Sequence, residues 1–210
     1  MNINISTNIS SVTKALNAFG KNQIPFAASR ALNDVAFHMS RKVMPKKSND
    51  TFTGGATAFT RRGFKYKKSN KRNLTAEVFI DTAQEKYLKF QISGGNRFPE
   101  KRSIIVPTSN TRLNRYGNIT RATYSRIIND KKKFFKGIPR GRTGKSNEGI
   151  WERYGNNKNI RIVARYVDKA QYEPLFPFGK IGERVVFSRN QGFADRFRVR
   201  LKEAKRTARR

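Results

Sequence analysis

Residues 24–43 read IPFAASRALNDVAFHMSRKV. Ile24, Ala28, Ala31, Leu32, Val35, Met39 and Val43 recur at steps of three and four, the spacing of one helical face. Asp34, His38 and Arg41 fall on the opposite side. Pro25 suits a first helical position, and Pro45 predicts the end of the run. Further along, LTAEVFID (74–81) changes the period from 3.6 to 2. Leu74, Ala76, Val78 and Ile80 alternate with Thr75, Glu77, Phe79 and Asp81, which predicts a strand. A helix followed by strands, without regular βαβ alternation, points to an α+β fold.

Outward from these anchors, Val12, Ala15, Leu16 and Phe19 mark a short amphipathic helix over 11–20, stopped by Gly20. Ile3 and Ile5 alternate with Asn2, Asn4 and Ser6, as in a short strand. With no basic lead and no continuous apolar run, this start does not read as a signal peptide. Residues 46–73 read as a basic arm or loop. Gln84 to Ser93 reads as a strand or a helix, and Gly94-Gly95 favours the helix. Residues 103–107 predict a short buried strand, and Asn118 a cap for a helix over 120–130. Lys131-Lys132-Lys133 leads into a strand at Phe134-Phe135. A Gly/Pro/Arg-rich loop covers 137–149. Two strands, 149–154 and 160–167, flank the turn Gly155-Asn156-Asn157. Pro174 and Pro177 bracket an extended aromatic segment. A long helix is expected over 179–207, with Val186, Phe193, Phe197, Leu201 and Ala204 inward and Gly192 weakening it. The fold expected is therefore N-terminal helices, a small mainly antiparallel sheet with an inserted helix, a long C-terminal helix and extended basic loops. Three segments, 1–45, 46–73 and 74–210, form one domain in this reading.

Charge dominates the composition. There are 46 Lys and Arg against 14 Asp and Glu, a net +32 over 210 residues. Sixteen Phe, seven Tyr and one Trp are too many for a disordered polycation. Such a chain repels itself unless a partner supplies negative charge, which nominates nucleic acid first and an acidic protein surface second. Cysteine is absent, so disulfides and thiolate metal sites are excluded. No apolar run approaches the ~18 residues of a membrane span, so no membrane partner is expected.

Catalytic signals are thin. His38 is the single histidine, and it follows Asp34 by four residues as an exposed helix pair. Gly141-Arg142-Thr143-Gly144-Lys145-Ser146 imitates a phosphate loop, but Pro139 stands where the first glycine belongs. The densest acids, Glu77, Asp81 and Glu85, read as salt partners for neighbouring cations rather than as metal ligands. No catalytic residue, metal site or cofactor is expected, and the protein reads as non-enzymatic. Seven of the twelve residues from Arg61 to Arg72 are basic: Arg61, Arg62, Lys65, Lys67, Lys68, Lys71 and Arg72. With Phe64 and Tyr66 interleaved, they are candidates for contact with nucleic acid or an acidic partner, or for a solvated charge run. Lys131, Lys132, Lys133, Arg140, Arg142 and Lys145 are further candidates.

Several short motifs resemble tail-completion and neck proteins of tailed bacteriophages, the group that includes minor tail protein Z. Ala31-Leu32-Asn33-Asp34-Val35-Ala36 resembles their early helix. Phe59-Thr60-Arg61-Arg62, Leu74-Thr75-Ala76-Glu77-Val78, Tyr87-Leu88 with Gly94-Gly95, and Tyr116-Gly117-Asn118 resemble a pattern of structural virion proteins. Gly149-Ile150-Trp151-Glu152-Arg153 and Tyr172 with Pro174-Leu175-Phe176 continue it. The resemblance implies an α+β subunit of a homo-oligomeric ring at the head–tail junction or tail. Its partners would be a portal, adaptor or tail tube and possible packaged DNA. It would assemble in the host cytoplasm and reside in the virion. No catalytic residue carries over. Large aromatics dominate interface energetics, which nominates Trp151, Phe176 and Phe178 as contacts with neighbours, or as core residues. The basic stretches 46–73 and 95–147 depart from the smaller members of the group.

Overall fold

The computed structural model describes residues 1–6, 18–100, 102–156 and 158–207. In chain order it places strand β1 (Asn2–Ser6), helix α1 (Ala18–His38), a π-helical segment (Met39–Val43), α2 (Met44–Thr51) and α3 (Ala58–Arg62). Strands β2 (Phe64–Lys67) and β3 (Thr75–Ile80), helix α4 (Thr82–Ser93), and strands β4 (Gly95–Arg97) and β5 (Ile104–Pro107) follow. Next come α5 (Arg121–Asn129), β6 (Phe134–Gly137), a 3₁₀ turn (Lys145–Asn147), β7 (Gly149–Tyr154), β8 (Asn159–Val167) and β9 (Ala170–Tyr172). Helices α6 (Phe178–Val186) and α7 (Phe193–Thr207) complete an α+β fold.

The chain divides into two compact units. The first joins Met1–Phe52, Ala56–Ile92 and Leu175–Arg210; the second joins Thr53–Gly55 and Ser93–Pro174.

In the first unit, β3 is the centre of an antiparallel sheet ordered β1-β3-β2. Its alternation works as the sequence predicts: Ala76, Val78 and Ile80 are buried, and Thr75, Glu77 and Phe79 are half-covered. Leu32, Val35 and Met39 of the helical face meet them, together with Phe64, Leu88, Phe176 and Phe178. The rings of Phe64, Phe176 and Phe178 lie 5.9–6.3 Å apart, centroid to centroid. Phe176 and Phe178 are fully buried here, the position their alternative reading as core residues describes.

Pro25 lies inside α1 rather than at its start, and α1 already includes Gly20, the expected stop. The rest of the expected helix over 11–20 lies mostly outside the described residues. Pro45 does not end the helical path either. The Met44 amide bonds to the Met39 carbonyl, an i→i−5 step, and Pro45 falls in the first turn of α2, where its missing N–H is tolerated. The 46–73 segment is thus largely ordered as α2, α3 and β2. Thr57 caps α3 by accepting from the Thr60 amide at 3.1 Å.

The C-terminal helix is also interrupted. Phe187 to Gly192 separates α6 from α7, so the expected 179–207 helix becomes two. Gly192 fits because a Cβ there would sit 2.2 Å from the Ser188 carbonyl oxygen. Helix α7 packs on α1 through Phe193, Phe197 and Leu201 against Ile24 and Ala28. Arg200 clamps this pair, with Nε 2.7 Å from Asp34 and Nη1 2.9 Å from Glu203. Asp34, expected to pair with His38, is held by Arg200 instead.

In the second unit, β4 pairs with β9, and a four-stranded antiparallel sheet runs β5-β8-β7-β6. The hairpin of β7 and β8 appears as predicted. Strand β5 is an edge, not a buried strand, and Ile105 and Val106 are each 38% exposed. Helix α5 is capped by Thr120, not Asn118, because the Thr120 hydroxyl is the oxygen placed to accept the Thr123 amide.

Phe176→Ala should destabilise the chain by about 3–5 kcal/mol, since it empties a fully buried ring site. Urea unfolding checks this; a loss below about 1 kcal/mol would place Phe176 outside the core.

Candidate polyanion-binding surface

Over residues 93–174 the second unit carries 19 Lys and Arg against 6 Asp and Glu, a net +13. Its sheet decides how some of these cations are presented. Phe135 pairs with Trp151, Trp151 with Ile162, and Arg153 with Ile160. Directly opposed residues share a face and neighbours along a strand alternate, so Phe135, Trp151, Arg153, Ile160 and Ile162 lie on one face. Phe134 and Ile150 point the other way, into a cluster with Ile127 of α5.

On the first face, guanidinium groups cover the rings. Arg153 lies 4.5 Å from the Phe135 centroid, and Arg142 lies 4.8 Å from that of Trp151. Arg153 Nη1 also donates to the Lys132 carbonyl at 3.0 Å. Trp151 is 2% exposed, and its Nε1 donates to the Gly137 and Asn147 carbonyls at 3.1 and 3.2 Å. Those carbonyls stand at the two ends of the Gly/Arg loop, so Trp151 fastens the loop that carries Arg140, Arg142 and Lys145. Trp151 thus holds the buried position that its alternative reading as a core residue describes.

On the opposite face Glu152 is buried, with Lys133 at 3.1 Å and Arg161 at 2.8 Å. Burial alone would raise its pKa. The hydrogen bonds from Arg161 and Lys133 outweigh that and hold the carboxyl below its ordinary value. Arg161 also lies 5.4 Å from the Tyr154 centroid.

The expected basic residues divide between the units. Arg61, Arg62, Lys65, Lys67, Lys68, Lys71 and Arg72 belong to the first. Arg61 is occupied within the chain, donating to the Ala56 carbonyl at 2.9 Å. Lys71 and Arg72 sit in a turn closed by Asn70, whose side-chain oxygen accepts from the amides of Arg72 and Asn73. Lys131, Lys132, Lys133, Arg140, Arg142 and Lys145 belong to the second unit. Lys145 is 3.3 Å from Asp168 in an exposed pair that contributes little. Arg153 and Arg161 escaped the sequence reading. Their one signal is the alternation Trp151-x-Arg153 and Ile160-Arg161-Ile162 along two paired strands.

His38 is half-buried at the end of α1. Desolvation first, then Arg196 and Lys42, push its pKa down, which favours the neutral imidazole. Among the described residues no cluster of carboxylates and histidine could hold a metal ion, and no helix is long and apolar enough to cross a membrane.

No family model, curated protein or solved structure matches this chain.

Glu152→Gln should lower stability at neutral pH by about 1–2 kcal/mol, between the values for exposed and buried pairs. The wild-type carboxyl has a depressed folded pKa, so its contribution is complete above its ordinary value of 4.5 and fades as pH falls through the folded pKa. Denaturant unfolding at a series of pH values should show the two proteins diverging above that range and converging in acid. A gap that persists unchanged in acid would assign the effect to packing.

Proposed function

We propose that this chain is a non-enzymatic structural protein of a tailed-bacteriophage virion. In this reading it acts at the head–tail junction or in the tail, as a subunit of a homo-oligomeric ring. It joins portal, adaptor or tail-tube components and turns its basic surface toward DNA or acidic neighbours. The observation that supports this most is the charge balance: 46 cations cannot be matched one for one by 14 carboxylates. Lys131, Lys132, Lys136, Arg140 and Arg142 are exposed on the folded second unit. A partner must supply the missing charge, and the motif resemblance to neck and tail-completion proteins suggests where such a partner is met. Host cytoplasm is then the site of assembly and the neck or tail the final location.

The arginine-covered rings favour a second reading, a nucleic-acid-binding protein without sequence preference, of virion-internal, ribosomal or nucleoid type. It predicts affinity that falls steeply with salt and hardly varies with sequence.

Electron microscopy of lysates from a phage with a stop codon in this gene separates the two. Filled heads apart from tails, or heads that have leaked DNA, are expected of a joining subunit. Joined but non-infectious particles would shift the assignment to a DNA-associated protein, and fully infectious particles would refute the virion role.

A further inference from the structure

We propose that Arg142 and Arg153 form a paired-guanidinium site for the phosphodiester backbone of nucleic acid, with Trp151 and Phe135 as positioning residues beneath them. This rests on the proposed reading of the basic surface and assigns one partner to it.

The two rings are cross-strand partners, so their Cβ atoms are about 5 Å apart. Each ring carries a guanidinium 4.5–4.8 Å from its centroid. Two like charges are thus anchored to neighbouring rings on one sheet face. Their repulsion is offset by the negative faces of the rings and, for Arg153, by the Lys131 and Lys132 carbonyls at 3.5 and 3.0 Å. Those bonds engage Nη1 of a group that carries five N–H donors. The nearby carboxylate, Glu152, belongs to the opposite face and is committed to Lys133 and Arg161.

Such an arrangement suits an anion that can bridge or line two planar forks. Phosphate oxygens fit guanidinium bidentately, and pre-ordering the forks on rings reduces the entropy lost on binding. The rings are already covered by the arginines, so base stacking is not what they offer. Recognition then follows the backbone and is independent of base sequence. Carboxylates also fit these forks, but charge density favours nucleic acid. A duplex presents one charge per about 1.7 Å, a continuous supply for a unit whose net charge is +13.

The test uses the full chain and a fluorescein-labelled duplex of about 30 base pairs, read by anisotropy between about 50 and 200 mM salt. In a plot of log affinity against log salt, R142A/R153A should flatten the slope by about 1.8, two phosphate contacts. R142K/R153K keeps both charges and should retain the slope while weakening binding, because an ammonium lacks the planar fork. Phe135→Leu should also retain the slope and lower affinity about two- to fivefold. Thermal unfolding verifies that each variant is folded. If R142A/R153A fails to fold, the two milder variants decide, and unchanged affinity in both overturns the proposal. Wild-type slope and affinity in a folded R142A/R153A overturn it as well, leaving the basic surface with another contact point. Binding to polyglutamate but not to duplex at about 50 mM salt would assign the site to an acidic protein instead. Loss of the virion role in the stop-codon experiment, with the slope change intact, would separate the failure of that role from this site.

Discussion

Forty-six cations share the chain with fourteen carboxylates, and every other feature has to accommodate that imbalance. Mutual repulsion favours expansion, so compactness depends on apolar burial. The core of the first unit shows how this is met. Phe64, Phe176 and Phe178 come from distant parts of the sequence and bury their rings against Leu32, Val35 and Val78. The scarce acids are spent at joints. Asp34 and Glu203 hold Arg200 where α7 crosses α1, and their hydrogen bonds raise its pKa further above the ordinary guanidinium value. Glu152 of β7 holds Arg161 of β8 and Lys133 in the turn that leads into β6. In both places a carboxylate bridges elements that repulsion would otherwise separate.

Where carboxylates run out, aromatic rings and backbone carbonyls take over. Arg153 lies on Phe135 and donates to Lys132, Arg142 lies on Trp151, and Arg161 adds Tyr154 to its ion pair. These contacts hold guanidinium groups in place while leaving their charge intact. An ion pair would have cancelled it. The second unit therefore keeps most of its net charge at the surface even as it orders individual cations, which is the combination a polyanion-binding surface needs.

Much of the fold was legible where period and local chemistry agree. The alternation of Ala76, Val78 and Ile80 identified β3, and Gly94 marked the end of α4. Proline misled because its effect depends on the hydrogen-bond ladder around it. Pro45 falls in the first turn of α2, where no donor is needed, directly after the Met44 amide has made an i→i−5 bond to Met39, so the helical path continues through it. The basic composition of 46–73 suggested an arm or loop, and the burial of Ser48, Thr60 and Phe64 shows how its apolar and small residues pack while the cations stay outside. The candidate site was half legible. Arg142 stood out in a loop, but Arg153 gains its role only once the register places Phe135 beside Trp151, a pairing between strands separated by a loop.

Salt acts on this molecule in two opposing directions. Screening weakens repulsion among exposed cations, so added salt favours the compact state. The same screening removes the counterion-release drive for association with a polyanion. The half-buried joints at Arg200 and Glu152 are screened less than exposed pairs, so the folded architecture should outlast the proposed polyanion binding as salt rises. Stability and the proposed association thus draw on different subsets of the same charges: the few paired with acids hold the elements together, and the many left at the surface are the ones a polyanion would neutralise.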